Sequence, residues 1–440
     1  MEQFDFVVVG AGVSGLSFAN WAREEASRLG RASPTILVVE REREPGGYCR
    51  TVKRHGFTWD FAGHFFHFRH ADIEAWLRAR MSGAVRTVER SARVRTAPVP
   101  GSQAVEVDYP FQRHLQQLDQ IGFIACLADL YQASKHTEAT PPASFKEMLT
   151  RRFGAAMCER FLTPYNEKLY ACDLDTLEVD AMGRFFPHAS LDEVLAGLTT
   201  PAGERAGYNA TFQYPEGGAA EFVRALVRDL PERTLALDEQ VQHIDLERRV
   251  VTTSQRKIRY GQLVTSAPLP ATLTACGLEH DQAAFTSNRV LVFNLGFDKK
   301  GRKDVHWIYV ADPARIFYRV GFYDNIVPAS RMSLYVEVGL PAGSERPDVG
   351  VLQQRVLADL AAEGIVQPGQ KLVAHHHVVM NPAYVHLTAR SVAEAARARA
   401  DLERHGVYSV GRYGGWTYCA IEDNLVETRA LAARLLATNQ

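Results

Sequence analysis

Residues Phe4 to Gly15 read Phe-Asp-Phe-Val-Val-Val-Gly-Ala-Gly-Val-Ser-Gly, an apolar strand running straight into a glycine-rich turn. A helical pattern follows to about Leu29, and a second strand, Thr35 to Glu40, ends on an acid. A turn with Gly10, Gly12 and Gly15 lets a pyrophosphate approach the backbone, and the following helix aims its free N–H groups at that charge. Glu40 stands where a carboxylate can accept hydrogen bonds from ribose hydroxyls. The order strand, turn, helix, strand, acid predicts a Rossmann-type dinucleotide-binding unit within an α/β fold.

At 440 residues the chain exceeds one ordinary core and predicts two or three lobes. The formal net charge of −1 supplies no global field for nucleic acid or an anionic membrane, so neither is expected as a partner. Any anionic ligand must then be held by local arginines. The six cysteines include no CxxC pair, which argues against zinc or a redox pair and for reduced thiols. With Glu2 and Asp5 where a signal peptide needs positive charge, and no transmembrane stretch, the expected location is cytoplasmic.

The dinucleotide-binding lobe reads as discontinuous: residues 1–75, 205–285 and 405–440. Pro215-Glu216-Gly217-Gly218 precedes an apolar helix, Glu221 to Leu230. Short strands are expected at Val241 to Ile244, Arg249 to Thr253, Lys257 to Tyr260 and Leu263 to Ser266. A strand at Val407 to Val410 and a helix at Leu425 to Leu436 close the lobe. Residues 111–204 form a helical insertion. There Phe111, Leu115, Leu118 and Ile121 have helical spacing, and Ser144…Glu147 and Ser190…Glu193 mark capping boxes. Residues 76–110 and 286–404 are rich in β-branched and aromatic runs, predicting a mixed or antiparallel sheet that forms a substrate domain. Within it, Ser391…Glu394 reads as one more helix start, and Gly406 as that helix's end.

Beyond Glu40 come Pro45-Gly46-Gly47, then Asp60-Phe61-Ala62-Gly63-His64, and far downstream Gly411-Arg412-Tyr413-Gly414-Gly415-Trp416. A double glycine lets the chain pass close to an extended cofactor. FAD outspans one βαβ unit and draws on distant segments, so this combination points to FAD. His64, His67 and His70, and the triplet His375-His376-His377, invite a metal reading. Neighbours in a strand triplet point to opposite faces, and no carboxylate or cysteine completes either group, so no metal site is expected.

Further motifs occur in order along the chain: Tyr109-Pro110-Phe111-Gln112, Phe161-Leu162-Thr163-Pro164-Tyr165-Asn166-Glu167-Lys168-Leu169-Tyr170, Gly183-Arg184, Asn209-Ala210-Thr211-Phe212, Tyr309 with Arg319, Tyr384, and Arg412 with Tyr418. Together they resemble the flavin-dependent UDP-galactopyranose mutases, with most likeness to the eukaryotic-type members. The chain departs from that family at Tyr170, where it has tryptophan, and at Ile326, where the eukaryotic type has tyrosine.

The resemblance implies an isomerase, an intramolecular transferase that interconverts pyranose and furanose forms of a nucleotide sugar. In that family the reduced FADH⁻ acts through N5 as a covalent nucleophile at the anomeric carbon. It implies that Arg184 and Arg319 bind the diphosphate and that His64 lies on the flavin face. Gly10, Gly12, Gly15, Glu40, Gly47, Gly63, His64, Arg412 and Tyr418 would hold the cofactor. Tyr109, Gln112, Tyr165, Asn166, Tyr170, Asn209, Tyr309, Tyr384 and Tyr418 would join the arginines around a UDP- or dTDP-linked sugar. An NAD(P)H donor is compatible as reductant. The sequence leaves nucleobase, sugar and oligomeric state open. It also leaves open an FAD-dependent oxidoreductase of the amine-oxidase or protoporphyrinogen-oxidase type.

Overall fold

The glycine turn builds the first layer. In the computed structural model, which describes residues 1–135, 140–187, 189–199, 210–345 and 347–438, the strand Glu2–Val9 feeds the helix Val13–Arg28 and returns through Ile36–Val39. Those two strands pair in parallel, Phe6 opposite Ile36 and Val9 opposite Val39. The sheet continues in the order Val241–Asp245, Val250–Thr253, Lys257–Thr265, Glu2–Val9, Ile36–Val39, Leu235–Ala236. Val407–Ser409 adds in parallel beside the end of Lys257–Thr265. One sheet thus draws on three distant stretches of chain, the discontinuous Rossmann arrangement expected. The helices Val13–Arg28, Ala220–Arg228 and Ile421–Thr438 bury Leu16, Phe18, Phe222, Leu226 and Leu435 against it.

Two short strands were expected where one long strand occurs, Lys257–Thr265. Gly261 lies between them: a Cβ there would lie 2.8 Å from the Asp5 carbonyl oxygen, so the glycine permits close backbone approach within a continuous strand.

A second sheet runs Leu372–Met380, Arg289–Phe297, Ser333–Leu340, Arg319–Phe322, Trp307–Val310, Ala92–Arg95, Glu106–Asp108. Its neighbours are antiparallel except for the parallel pair of Trp307–Val310 and Ala92–Arg95, so it is mixed. The helix Val349–Ala362, which no sequence signal above anticipated, packs Val356 and Leu360 against this sheet. Asp348 caps it by accepting the N–H groups of Gly350 and Val351.

The insertion is largely helical, with one correction. Phe111 to Ile121 is not one helix but two 3-10 turns, Phe111–Arg113 and Leu115–Gln117, followed by the helix Gln120–Lys135. Asp119 accepts the Gly122 N–H at 2.7 Å and restarts the chain, which leaves Ile121 68% exposed. Ser190 and Glu193 form a full capping box, each accepting the other's N–H, whereas Ser144 accepts the Glu147 N–H but Glu147 accepts from Ala143, one residue before the cap. The expected start at Ser391 is displaced. Thr388 caps the helix Ala389–Arg404 with Ser391 as its reciprocal partner, and Glu394 instead pairs with Arg397. Gly406, at φ +72°, follows the end of that helix.

Candidate functional site

Each fingerprint glycine has its own steric reason. A Cβ on Gly15 would sit 2.0 Å from the Gly10 carbonyl oxygen, and one on Gly10 would sit 2.5 Å from Ser266 Oγ. Both are packing requirements. A Cβ on Gly12 would meet nothing within 4 Å, so this position opens on free space. Glu40 is buried beside it: Oε2 accepts the Ala11 N–H at 2.8 Å and Oε1 the Glu42 N–H at 3.0 Å. The Gly46 N–H donates to the Ala11 carbonyl at 2.7 Å, and Gly47, at φ +59°, comes close to Gly12. An oriented carboxylate, a helix N-terminus and an unfilled space over Gly12 fit the adenosine diphosphate half of FAD.

The C-terminal glycine segment returns to this turn. A Cβ on Gly411 would strike Ser14 Oγ at 2.3 Å, and Ser14 donates to Asn424 at 2.9 Å. Arg412 follows, its Nη2 donating to the Cys419 carbonyl at 2.6 Å and its guanidinium 4.8 Å from the Tyr418 ring centre. Tyr418 stacks with Tyr384 at 5.9 Å.

Gly63 is explained by packing: a Cβ would lie 2.7 Å from the Tyr335 hydroxyl. His64, next along, has a buried Nδ1 without a hydrogen-bond partner among the described residues. Burial, then the charges of Arg412 and Arg319, hold its imidazole down at about 4, so it is neutral at physiological pH. The Asp60-to-His64 segment is pinned to the second sheet by Asn294, whose Nδ2 donates to the Asp60 carbonyl, and by the Tyr323 hydroxyl, which donates to the Ala62 carbonyl.

Arg319 faces this segment from the second sheet. Register places Tyr309, Arg319 and Glu337 directly opposite one another on three adjacent strands, hence on one face. Tyr309 packs at 4.9 Å from Tyr109 and 5.4 Å from Tyr165. The Arg319 charge also reaches Tyr384 and Tyr418, lowering both phenols against the larger upward push of burial.

Arg184 is placed differently. It lies on the turn Gly183–Phe185, partly exposed and paired with Asp423, while the adjoining Phe185 packs edge-on to Tyr418 at 5.1 Å. The two arginines thus sit in separate ion pairs, Arg184 with Asp423 and Arg319 with Glu337. Asn209 lies outside the described residues.

The expected substrate residues divide into two groups. Tyr109, Tyr309, Tyr384 and Tyr418 are half-buried and accessible. Tyr165, Tyr170, Gln112 and Asn166 are buried behind them. Tyr170, expected to flank a base, is fully enclosed between Phe145, Tyr384 and His386 and serves as a back wall. Gln112 donates to the Pro187 carbonyl and Asn166 to the Leu162 carbonyl, each leaving its amide oxygen unpartnered among the described residues. The cause is the Thr163–Tyr170 helix, which turns Tyr165, Asn166, Leu169 and Tyr170 into the core. Ile326 is likewise a core residue, at 2% exposure.

Three residues escaped the sequence reading: Glu337, Tyr335 and Gly321. Glu337 carries a signal that could have found it, a lone acid in the apolar run Ser333–Leu340. A charge so placed requires a partner.

A glycine-turn Rossmann half, joined at His64 and Arg412 to a mixed-sheet lobe, defines a two-lobed flavoprotein of the FAD-binding oxidoreductase fold. Residues 25–435 match the family model described as flavin containing amine oxidoreductase, and the chain belongs to that family. Its fold is shared by several solved proteins. A reduced UDP-galactopyranose mutase matches at TM-score 0.86 and 23% identity, over 99% of this chain and 94% of that one. A protein assigned as a protoporphyrinogen oxidase, from Exiguobacterium sp. 255-15, matches at 0.76 and 17%, over 99% and 98%. The cyclohexylamine oxidase of Brevibacterium oxydans IH-35A matches at 0.69 and 16%, over 99% of each chain. Among the described residues, no helix is long and apolar enough to cross a membrane.

Proposed function

We propose that this flavoprotein is a nucleotide-sugar pyranose/furanose mutase acting with reduced FAD on a UDP- or dTDP-linked sugar. The observation that carries the reading is the pair of guanidinium groups, Arg319 and Arg412, whose charges both act on His64. Glu337 stands beside Arg319, whereas Arg412 donates to the Cys419 carbonyl rather than to a carboxylate. Such a site favours a pyrophosphate and disfavours the cationic amine of an amine oxidase.

The chemistry supplied by the bound, reduced cofactor is nucleophilic attack at the anomeric carbon. The residues have other tasks. Arg319 donates charge-assisted hydrogen bonds to the departing diphosphate and retains it for the return step. Tyr309, Tyr384 and Tyr418 add neutral hydroxyl donors around the same oxygens. Arg184 completes the clamp by exchanging Asp423 for phosphate. Neutral His64 offers one ring nitrogen to the flavin without adding charge.

The test is anaerobic. Reduced holoprotein is given UDP-galactofuranose, and the nucleotide sugars are separated by chromatography while flavin absorbance is followed. UDP-galactopyranose formed with the flavin still bleached supports the mutase. Stoichiometric bleaching of the oxidised holoprotein by an amine or a porphyrinogen, which passes its electron pair to the flavin, together with no sugar isomerisation by the reduced holoprotein, would establish the oxidoreductase alternative that the family and two of the fold relatives represent.

A further inference from the structure

Glu337 is the one acid in the strand Ser333–Leu340, set between Val336 and Val338 and 1% exposed. A carboxylate this deep persists only with a partner that satisfies it. Its partner is Arg319, directly opposite in register. Arg319 Nε donates to Glu337 Oε1 at 3.0 Å, and Nη2 donates to the same oxygen. One edge of the guanidinium is thus committed. Among the described residues, the hydrogen bonds of Arg319 run from Nε and Nη2, and Nη1 on the other edge makes none.

The surroundings allow the arginine little other freedom. Its guanidinium carbon lies 5.7 Å from the Tyr335 ring centre. That ring occupies the space over Gly321, where a Cβ would come within 1.9 Å of it. The Tyr318 phenol is pushed up by burial and then by the nearby Glu337 carboxylate, which places a further group around the same acid.

We propose that Glu337 is a positioning residue: it grips Arg319 by the Nε edge and so presents the Nη1 end to the diphosphate of the substrate. This rests on Arg319 being the diphosphate clamp. An arginine carries considerable rotamer entropy, and fixing it beforehand removes that cost from ligand binding. A carboxylate that only balanced charge would need no particular reach. A positioning carboxylate must place its oxygen within hydrogen-bond distance of two donors.

That difference sets the experiment, in which UDP alone is titrated calorimetrically into the FAD holoprotein. In Glu337→Gln the amide oxygen accepts the same bonds, and UDP affinity stays within about threefold of the parent. In Glu337→Asp the charge stays but the oxygen is withdrawn by one methylene, and affinity falls about tenfold or more. In an Arg319→Ala background, adding Glu337→Asp produces no further change, because the effect passes through the arginine. FAD content and melting temperature are measured on every variant. Glu337→Asp binding UDP like the parent overturns the proposal. Equal weakening in both variants, with loss of FAD and a lowered melting temperature, also overturns it and makes Glu337 a stability residue. If Arg319→Ala itself binds UDP like the parent, the diphosphate reading falls, and this proposal falls with it.

Discussion

Glu40 Oε2 accepts the Ala11 N–H at 2.8 Å, so the acid ending the second strand is tied to the glycine turn that ends the first. This bond fixes the carboxylate before any ribose arrives. Glu40→Ala is expected to weaken FAD affinity by about ten- to a hundredfold, the value of a lost charge-assisted hydrogen bond. Flavin content after dialysis measures it. Full flavin retention would remove the ribose role.

Gly12 and Gly15 are expected to fail in opposite ways. Gly15→Ala drives a methyl into the Gly10 carbonyl oxygen and should cost about 2 kcal/mol or more of stability. Gly12→Ala meets no protein atom, so the apoprotein should melt normally yet bind little FAD. Thermal melts and flavin absorbance on the two variants separate these outcomes.

Arg319→Ala should lower turnover about a hundred- to a thousandfold while FAD content is retained. Arg184→Ala removes a partly exposed ion pair with Asp423, worth about 0–1 kcal/mol, so its melting temperature should hardly move. Its KM for the nucleotide sugar should nevertheless rise. An unchanged KM would show that Arg184 stays with Asp423 throughout the cycle.

Two buried groups should shape the acid limb of stability in opposite directions. His64, held at about 4, is neutral in the fold, so its contribution is present above the unfolded value near 6.5 and is lost as pH falls from there toward 4. Asp60, raised by burial to about 6 against hydrogen bonds from Thr51, Tyr214 and Ala219, behaves conversely. Its contribution is present below the unfolded value near 3.8 and is lost as pH rises to about 6. Between pH 4.5 and 6.5, melting temperature should therefore climb less steeply with pH in His64→Gln and more steeply in Asp60→Asn. Parallel curves for all three proteins would refute both assignments.

Much of the first layer was readable because its contacts are short-range. Glycine turn, helix, second strand and acid lie within forty residues, and each carries its own steric signature. The helix caps at Ser144 and Ser190 were readable for the same reason. The start at Ser391 was misplaced because Thr388 offers a hydroxyl one turn earlier, and local chemistry cannot rank two competing caps. The strand Lys257–Thr265 was split in two because a glycine that breaks a strand and one, like Gly261, that admits a neighbouring backbone look alike in one dimension. The helix Val349–Ala362 went unseen within a β-rich stretch, since its apolar residues find their face only against the sheet.

Within the site, the resemblance to the mutases singled out tyrosines and arginines suited to a diphosphate. They could not say which were accessible: Tyr309, Tyr384 and Tyr418 are half-buried, whereas Tyr165 and Tyr170 are enclosed by a helix packing into the core. Nor could spacing pair Arg319 with Glu337 or leave Arg184 with Asp423. Local covalent geometry dictates a phosphate-binding turn wherever the right glycines follow a strand. Which distant side chains then face one another depends on strand register and helix rotation, and those are settled only when the apolar faces of both sheets are buried together.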